Sequence, residues 1–390
     1  MGNSSTSESS SIQNEWRLLL AACSERSPKE SPEKLERIRA LLRAPIRWDS
    51  LFDLGERHGV LPLLYRALAE FEREVSSEAL LQLKQRYQTN LHKAMLLSRE
   101  LIRIVDHLAA SGVEVLPYKG LALAEAVYGD IALRQTGDID LLIRARDLAR
   151  AREAVRELGY TPHAELSAAE ERAYLKSGYE CAFDGAAGRN LLEVQWAILP
   201  RFYAVEFDVD EIFARAVSLP VAGRAMKTPG DEDLFLILAV HAAKHVWGRL
   251  IWLCDLARIM ARPGLDWSWI ASQARELGIV RIVRVTMLLA SQMLGAEIPA
   301  EMLGDRSVES FVAEIRGAIP GGEFDVESVE YFRLMMRLRE RLRDRVLFAG
   351  RLTFTPGPGE WAVVKLPGVL FPLYRVVRGW RLVGRVVDWK

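Results

Sequence analysis

The feature that most constrains the fold is a block rich in strand patterns, residues 111–200, between two long helical regions. Residues 113–118 contain the β-branched Val113 and Val115, and residues 137–143 alternate between polar and apolar side chains, which predicts two strands. Residues 178–185 and 190–199 predict two more strands, joined by a glycine-containing turn. The sequence therefore predicts a small β-sheet inside an otherwise helical chain.

Helices connect these strands. Residues 121–128 predict a short helix, and residues 147–158 predict an amphipathic helix that ends at Gly159, a typical C-terminal stop. Two strand–helix steps followed by a hairpin indicate a small mixed sheet with helices on one side. Such a sheet cannot bury both faces alone, so the helical regions should pack against it. We predict an α+β fold, with a small mixed β-sheet core flanked by N-terminal and C-terminal helical regions.

We expect five segments along the chain. They are a disordered polar start (1–12), an N-terminal helical region (13–110), the β-sheet core (111–200), a C-terminal helical domain (201–350) and a basic, proline-containing C-terminal segment (351–390).

The charge balance excludes one class of function. Lys plus Arg and Asp plus Glu each number 52, and zero net charge argues against a broadly basic surface that coats nucleic acid. Cys23, Cys181 and Cys254 fit neither a zinc spacing nor a disulfide framework. The start lacks an apolar leader, and the chain has no uncharged apolar stretch of about 18 residues. We therefore expect a cytoplasmic protein without a transmembrane helix.

The sharpest motif lies in the second strand. Alternation places Asp138 and Asp140 on one face and the apolar residues between and beyond them on the other. Neighbouring carboxylates repel unless a cation or water screens them, and Mg²⁺ is typically held by one or two carboxylates plus substrate phosphates. Two ordinary surface aspartates on a solvent-facing edge are the alternative, and the motif alone leaves both interpretations open.

A third acid strengthens the metal interpretation. Glu193 lies between Leu192 and Val194 in a predicted strand, so it must project from the polar face. If that strand lies beside residues 137–143, Glu193 joins the two aspartates. Three carboxylates can hold two metal ions about 3.5–4 Å apart, the geometry of in-line phosphoryl transfer.

Basic residues stand close to these acids in the sequence. Lys119 and Gly120 end the first strand and open a helix, where glycine lets a phosphate approach the backbone and the helix N-terminus favours anions. Lys119 would supply a cation there, although a plain strand-to-helix turn is the alternative. Arg134, four residues before Asp138, would pair with a phosphate or with the acids.

The strand, Lys-Gly, helix, Arg and Asp-Ile-Asp pattern, followed by a distant Glu, resembles the DNA polymerase β-like nucleotidyltransferase superfamily. More narrowly, it resembles the bacterial group of uncharacterised nucleotidyltransferase family proteins. Residues 118–160 carry the strongest match. Residues 48–65 and 241–255 are similar to the family's N-terminal and C-terminal helical segments, so the resemblance covers roughly residues 40–260.

The resemblance implies that residues 111–200 are a nucleotidyltransferase core. Asp138 and Asp140 would be metal ligands, and Glu193 would be the third acid, a further ligand and a possible base. The implied cofactors are Mg²⁺, as two ions, and an NTP such as ATP as co-substrate. One departure is that Gly120-Leu121 replaces the superfamily's usual Gly-Ser pair, which leaves the triphosphate contacts and the activity itself open.

A histidine-bearing helix near residue 241 has two interpretations of equal weight. His241 and His245 lie four apart on one helical face with Lys244 beside them, so all three would contact nucleotide phosphates or the acceptor. Alternatively, the histidines pack between helices with Asp255 as a possible partner. Zinc is disfavoured because the Glu of the HExxH motif and a third ligand are missing.

The C-terminal segment ends in a basic amphipathic stretch. Arg375, Arg378, Arg381 and Arg385 are spaced three or four apart, as on one helical face. Such a face would suit an anionic membrane, a nucleic acid or an acidic partner. We favour a solvated basic face whose neighbouring valines pack on the body of the protein.

We predict a Mg²⁺-dependent nucleotidyltransferase that moves an NMP group from an NTP to an acceptor hydroxyl or phosphate and releases pyrophosphate. The alternatives are a catalytically degenerate nucleotide-binding or scaffold protein and, less favoured, a glycosyltransferase that holds a metal with its D-x-D motif. A small molecule, peptide or saccharide acceptor is favoured over tRNA because of the zero net charge. The acceptor's identity and the oligomeric state are left open by the sequence.

Overall fold

The computed structural model describes residues 4–24, 31–164, 166–188, 190–302, 304, 306–322 and 328–387. Its helices are α1 (Ser4–Cys23), α2 (Pro32–Leu42), α3 (Trp48–Arg57), α4 (Leu61–Leu68), α5 (Ser77–Ala110), α6 (Gly120–Tyr128), α7 (Leu148–Glu157), α8 (Ala168–Ser177), α9 (Val209–Ala214), α10 (Asp231–Lys244), α11 (Leu250–Met260), α12 (Trp267–Leu277), α13 (Val280–Leu294), α14 (Glu309–Ala318), α15 (Val329–Arg337), α16 (Leu342–Phe354), α17 (Pro358–Val363) and α18 (Tyr374–Val387). Its strands are β1 (Val115–Pro117), β2 (Asp138–Ile143), β3 (Thr161–Pro162), β4 (Glu180–Asp184), β5 (Leu191–Gln195), β6 (Val217–Val221) and β7 (Arg224–Thr228).

The central element is a five-stranded sheet in the order β1-β2-β5-β4-β3. β2 and β5 run parallel, whereas the other neighbouring pairs are antiparallel, so the sheet is mixed. Helices precede and follow this sheet in the chain, and the predicted α+β fold class is confirmed.

The two faces of the sheet meet different helices. Ile139, Leu141 and Ile143 of β2 are buried in a core cluster that also holds the apolar residues of α5 and α7. Asp138 and Asp140 point to the opposite face because side chains alternate along a strand. There Leu142 belongs to a second core cluster, which contains residues of α1–α4 and of α10–α13. The N-terminal and C-terminal helices therefore share one core, and the acidic face of the sheet looks toward them.

Two small β elements were absent from the sequence prediction. β6 and β7 form a hairpin whose turn residues Ala222 and Gly223 have positive φ angles of 49° and 80°. Ala-Gly is a weaker hairpin signal than Asn-Gly, and Pro220 within β6 lowers the strand signal further. The two-residue strand β3 is too short to produce a pattern.

The structure describes most of both chain ends. α1 begins at Ser4, inside the segment 1–12 that the sequence predicts as a disordered start; residues 1–3 lie outside the described residues. The division of the chain into five segments remains a prediction. None of the described helices combines the length and apolar character that a membrane span requires.

The preference for valines packed inward on α18 is wrong for Val376, which is 68% exposed. Instead, Arg378 and Arg381 turn inward and bind Glu360 at 3.1 and 2.6 Å. The physical reason is that Glu360 is buried, with 4% exposure, and a buried carboxylate requires counter-charges. The side chain of Arg385 lies outside the described part of the chain.

Candidate active site

The pairing of β2 with β5 brings the three predicted acids to one face of the sheet. In the parallel register Asp140 lies directly beside Glu193, and Asp138 lies two residues earlier on the same face. Asp140 is buried, with 5% exposure, whereas Asp138 and Glu193 are half-buried. The sequence-based condition for a three-acid cluster, adjacency of the two strands, is thus met.

Burial and mutual repulsion act on the protons of these acids. Burial, followed by the neighbouring Asp140 carboxylate, raises the pKa of Asp138 above its ordinary value. Burial, together with Asp140 and Glu180, raises the pKa of Glu193 to about 8. Burial therefore favours the protonated forms of Asp138 and Glu193, and shifted pKa values of this kind are typical of functional sites.

Lys119 supplies the nearest cation. Its ammonium group lies 2.9 Å from Oδ1 of Asp140, and its side chain is 14% exposed. Burial opposes its charge, but Asp140, Tyr118 and Glu193 outweigh burial and hold the pKa of Lys119 well above its ordinary value. Lys119 is thus a charged counter-ion to a site carboxylate.

The start of α6 brings the backbone close to the acids. Gly120, the first residue of α6, has a φ of +54°, in the left-handed region that favours glycine. A Cβ placed on Gly120 would lie 3.0 Å from Cγ2 of Thr136 and 3.2 Å from the carbonyl oxygen of Asp138. The glycine therefore permits a close approach between the α6 N-terminus and the segment that leads into β2.

Sequence reasoning missed a buried amide that connects the acids. Nε2 of Gln195, a residue with 1% exposure, lies 3.0 Å from Glu193 Oε2, 3.1 Å from Glu180 Oε2 and 3.3 Å from Asp140 Oδ1. The hydroxyl of Tyr118 donates to Oε1 of the same amide. That bond fixes the amide orientation, so its N–H groups face the carboxylates.

Glu180 is a fourth acid of this face and was also missed. It lies opposite Gln195 in the antiparallel pairing of β4 with β5. For Gln195 the sequence did carry a signal: it lies two residues after Glu193 in an alternating strand, so Gln195 and Glu193 share a face.

Arg134 is committed to a partner that the sequence did not indicate. Its Nε lies 3.2 and 3.1 Å from the two carboxylate oxygens of Asp255, and a terminal nitrogen lies 3.1 Å from Oδ2. The Tyr128 hydroxyl donates to the same carboxylate at 2.8 Å. Asp255, the possible partner of the histidines in the packing interpretation, thus binds Arg134 and Tyr128.

His241, Lys244 and His245 lie beside the acidic face and also pack. The His241 and His245 rings lie 5.0 Å apart, and each lies within 5.4 Å of the Trp252 ring. Lys244 donates to the Tyr179 hydroxyl at 2.8 Å. The structure thus combines elements of both interpretations, since these side chains pack together and line a cleft.

Burial favours the neutral forms of the two histidines. Burial, followed by repulsion from Lys244, lowers the pKa of His245 to about 3, and burial also places the pKa of His241 well below its ordinary value. Burial lowers the pKa of Lys244 as well. Contacts from the histidines to a phosphate would therefore be hydrogen bonds from neutral imidazoles.

The acids of the sheet, Lys119 and the histidine-bearing end of α10 line a cleft of about 1220 Å³. One wall is the acidic face of the sheet, and another is the histidine-bearing end of α10. Helix α5 adds polar residues at helical spacing, including Thr89 and Lys93. The lining residues that sequence analysis selected are Lys119, Gly120, Arg134, Asp138, Asp140, Glu193, His241, Lys244 and His245.

The donor chemistry of the cleft fits a hard divalent cation that shares its coordination with a substrate. Among the described residues, no group of three or more His, Cys, Asp and Glu side chains is arranged to hold a metal ion by itself. Mg²⁺ needs only one or two carboxylates when substrate phosphates complete its shell. Asp138 and Asp140, two residues apart on one face, supply such a pair.

Comparison with known proteins adds a family. A family model described as an uncharacterised nucleotidyltransferase matches residues 44–295, more than half of the chain. No curated protein matches the chain. Six solved chains match. One is the solution structure of the antibiotic-resistance factor ANT(2'')-Ia, which is 18% identical over 57% of this chain and 92% of that chain, with a TM-score of 0.28.

Proposed function

The chain belongs to the uncharacterised nucleotidyltransferase family, and from that premise we propose that it moves an NMP group from an NTP to an acceptor hydroxyl or phosphate with the help of Mg²⁺. The observation that carries this proposal is the register that sets Asp140 beside Glu193, with Asp138 on the same face of the cleft. Release of pyrophosphate completes the reaction.

Asp138 and Asp140 would hold the cation together with the triphosphate, and Glu193 would complete the acidic set, with two ions as the proposed number. When bound, Mg²⁺ would neutralise charge on the leaving pyrophosphate and favour an ionised acceptor hydroxyl. The raised pKa of Glu193 suits a group that accepts a proton from the acceptor.

Lys119 and the N-terminus of α6 would bind triphosphate oxygens. Lys119 lies on the acidic face beside Asp140, and Gly120 leaves space for a close backbone approach. Leu121 lacks the hydroxyl that the superfamily usually offers at this position, so backbone N–H groups and Lys119 would carry these contacts. Arg134 would act indirectly, because Asp255 already holds its guanidinium.

The rest of the cleft would receive the acceptor and the base. Its volume of about 1220 Å³ exceeds that of typical small-ligand pockets, which leaves room for a second substrate beside an NTP. We propose a small molecule, peptide or saccharide as the acceptor and ATP as one usable NTP. A bacterial source and a cytoplasmic location complete the proposal.

The test is transfer of label from α-³²P-labelled NTPs to candidate acceptors in the presence of Mg²⁺. Asp138→Ala with Asp140→Ala is expected to abolish transfer. Glu153→Ala is the matched carboxylate control, because Glu153 is exposed on α7 and makes only a 4.0 Å ion pair with Arg156. Transfer that persists in the double aspartate variant would refute the assignment of these residues.

Calorimetry separates the remaining alternatives. Mg²⁺-dependent binding of NTP is expected for wild-type protein and not for the double aspartate variant. Absence of NTP binding in the wild type would favour a degenerate scaffold, and preferential binding of a UDP-sugar would favour a glycosyltransferase.

A further inference from the structure

The described part of the C-terminal helix α18 turns two arginines inward and leaves large apolar side chains in solvent. Its inward side carries Arg378 and Arg381, which bind the buried carboxylate of Glu360. The Arg378 side chain also donates to the backbone carbonyl of Leu352 in α16. α18 is therefore attached to the protein through these charged contacts as well as through Tyr374, which is buried with 1% exposure.

The outward side of the same segment is apolar. Leu373 and Val376 are 48% and 68% exposed, and Trp380 is 81% exposed, the highest value among the exposed large hydrophobic residues described. Residues 373, 376 and 380 are spaced three and four apart, so they form one row that begins just before α18 and continues along it. Leu370, at 43% exposure, extends the row into the turn before α18.

Such an exposed apolar row is typical of a surface that binds a partner. A surface helix normally turns its apolar side to the core, because exposing that side to water forfeits the hydrophobic contribution. Here Glu360 binds the arginine side of α18 and leaves the apolar row in solvent. Contiguous exposed apolar residues of this kind mark protein-binding or membrane-binding surfaces.

The charge around the row identifies the partner's chemistry. Residues 361–387 contain no Asp or Glu. Arg375 is exposed next to Val376. The Lys365 side chain is 80% exposed, although its ammonium group lies 3.7 Å from Oε1 of Glu170. An apolar row with the exposed cations Arg375 and Lys365 beside it is complementary to a surface that is apolar below and anionic above.

We propose that α18 and the turn before it form a docking surface for an anionic lipid bilayer. Trp380, Val376 and Leu373 enter the interface between headgroups and acyl chains, while Arg375 and Lys365 contact lipid phosphates. A single exposed helix is convex and has no walls to seat another protein's side chains, whereas a bilayer accepts such a row along its length. The surface is separate from the cleft, and this binding does not depend on the proposed transfer activity.

The experiment is vesicle flotation of the full-length protein without nucleotide or metal. One set of vesicles is phosphatidylcholine alone, and the other contains about one third phosphatidylglycerol. The protein is expected to float with the anionic vesicles at low salt and much less with neutral ones. Raising the salt to about 0.5 M should release it, because the Debye length shortens.

Val376→Ala with Trp380→Ala is expected to lower the partition coefficient about tenfold or more, because two of the apolar contacts are lost. Both residues are exposed, so the fold should be retained, which circular dichroism verifies. Met95→Ala with Leu96→Ala is the matched control, since these α5 residues are 57% and 72% exposed and lie outside the row. That control should float like wild type.

Arg375→Glu should remove the preference for anionic vesicles. The proposal is overturned if the protein binds neutral and anionic vesicles equally, or if Val376→Ala with Trp380→Ala leaves flotation unchanged. It is also overturned if light scattering reveals a dimer that the same double substitution dissociates, because the occupant would then be a second copy of the chain.

Discussion

Replacing Asp255 by Asn is expected to lower the free energy of unfolding by about 3–5 kcal/mol, since it leaves a buried arginine without its counter-charge. The side chains of Asp255 and Arg134 are 0% and 9% exposed, so water cannot replace the lost charge. Asn at 255 retains one acceptor oxygen for Tyr128 but turns an NH₂ group toward the guanidinium N–H groups.

The magnitude follows from the number and kind of contacts. Arg134 reaches both oxygens of Asp255 at 3.1–3.2 Å, and each charge-assisted hydrogen bond contributes about 1.5–3 kcal/mol. Losing two of them gives about 3–6 kcal/mol, which agrees with the measured range for breaking buried ion pairs. The loss is a large fraction of a typical folding free energy of about 5–15 kcal/mol.

The assay is urea unfolding followed by circular dichroism. Arg134→Met with Asp255→Leu should lose less stability than Asp255→Asn alone, because no unpaired charge is left behind. Asp106→Asn is the control: it breaks an Arg224 ion pair of similar length, 2.8 Å, whose side chains are 49% and 57% exposed. That change should stay within about 0.5 kcal/mol. A loss below about 1 kcal/mol in Asp255→Asn, or additive losses in the double variant, would refute the reasoning.

The other predictions concern pH, the shared amide and a glycine. Burial lowers the pKa of His58 to about 4, below the ordinary value of about 6.5, so stability should fall as pH drops from about 6.5 to 4, by about 3 kcal/mol in total. His58→Asn, which keeps an acceptor for the Leu250 N–H, should flatten this profile in urea unfolding; an unchanged slope would contradict the assignment. Gln195→Leu should cost about 2 kcal/mol in the same assay, since it removes the amide from three carboxylates, and no loss would show that these contacts are dispensable. Gly120→Ala should cost about 1–3 kcal/mol because of its positive φ and its 3.0 Å contact; Gly137→Ala, with no atom within 4 Å, is the control, and equal losses would exclude strain as the cause.

The faces of the strands could be predicted from the sequence, whereas their neighbours could not. Alternation in residues 137–143 and the position of Glu193 between two apolar residues decide which side chains share a face. Nothing local states that β5 runs parallel to β2 with Asp140 opposite Glu193, because strand pairing depends on tertiary packing. The sequence therefore identified the three acids, but their proximity depended on a strand pairing that the sequence did not specify.

Contacts between distant elements were beyond sequence reasoning. Arg134 and Asp255 are 121 residues apart in the chain. Because Arg134 lies four residues before Asp138, the sequence instead predicted a phosphate or a site carboxylate as its partner. Gln195 was overlooked for another reason: amides are not among the groups usually sought in a carboxylate motif. Its signal was present in the strand period, whereas no signal predicted that Glu360 would draw the arginines of α18 inward.

The structure separates the roles of the two cations that the sequence grouped together. Arg134 forms an ion pair with the buried Asp255 of α11. This pair holds the segment that precedes β2 against α11. Lys119 has as its partner Asp140, which is itself a site acid, and the attraction of Glu193 adds to it. A cation that enters beside Asp140 must therefore compete with Lys119, whereas Arg134 stays paired. If a triphosphate arrives with that cation, its oxygens offer the displaced ammonium group a new partner within the same cleft. We therefore propose that Lys119 balances the acids before substrate binds and binds phosphate afterwards.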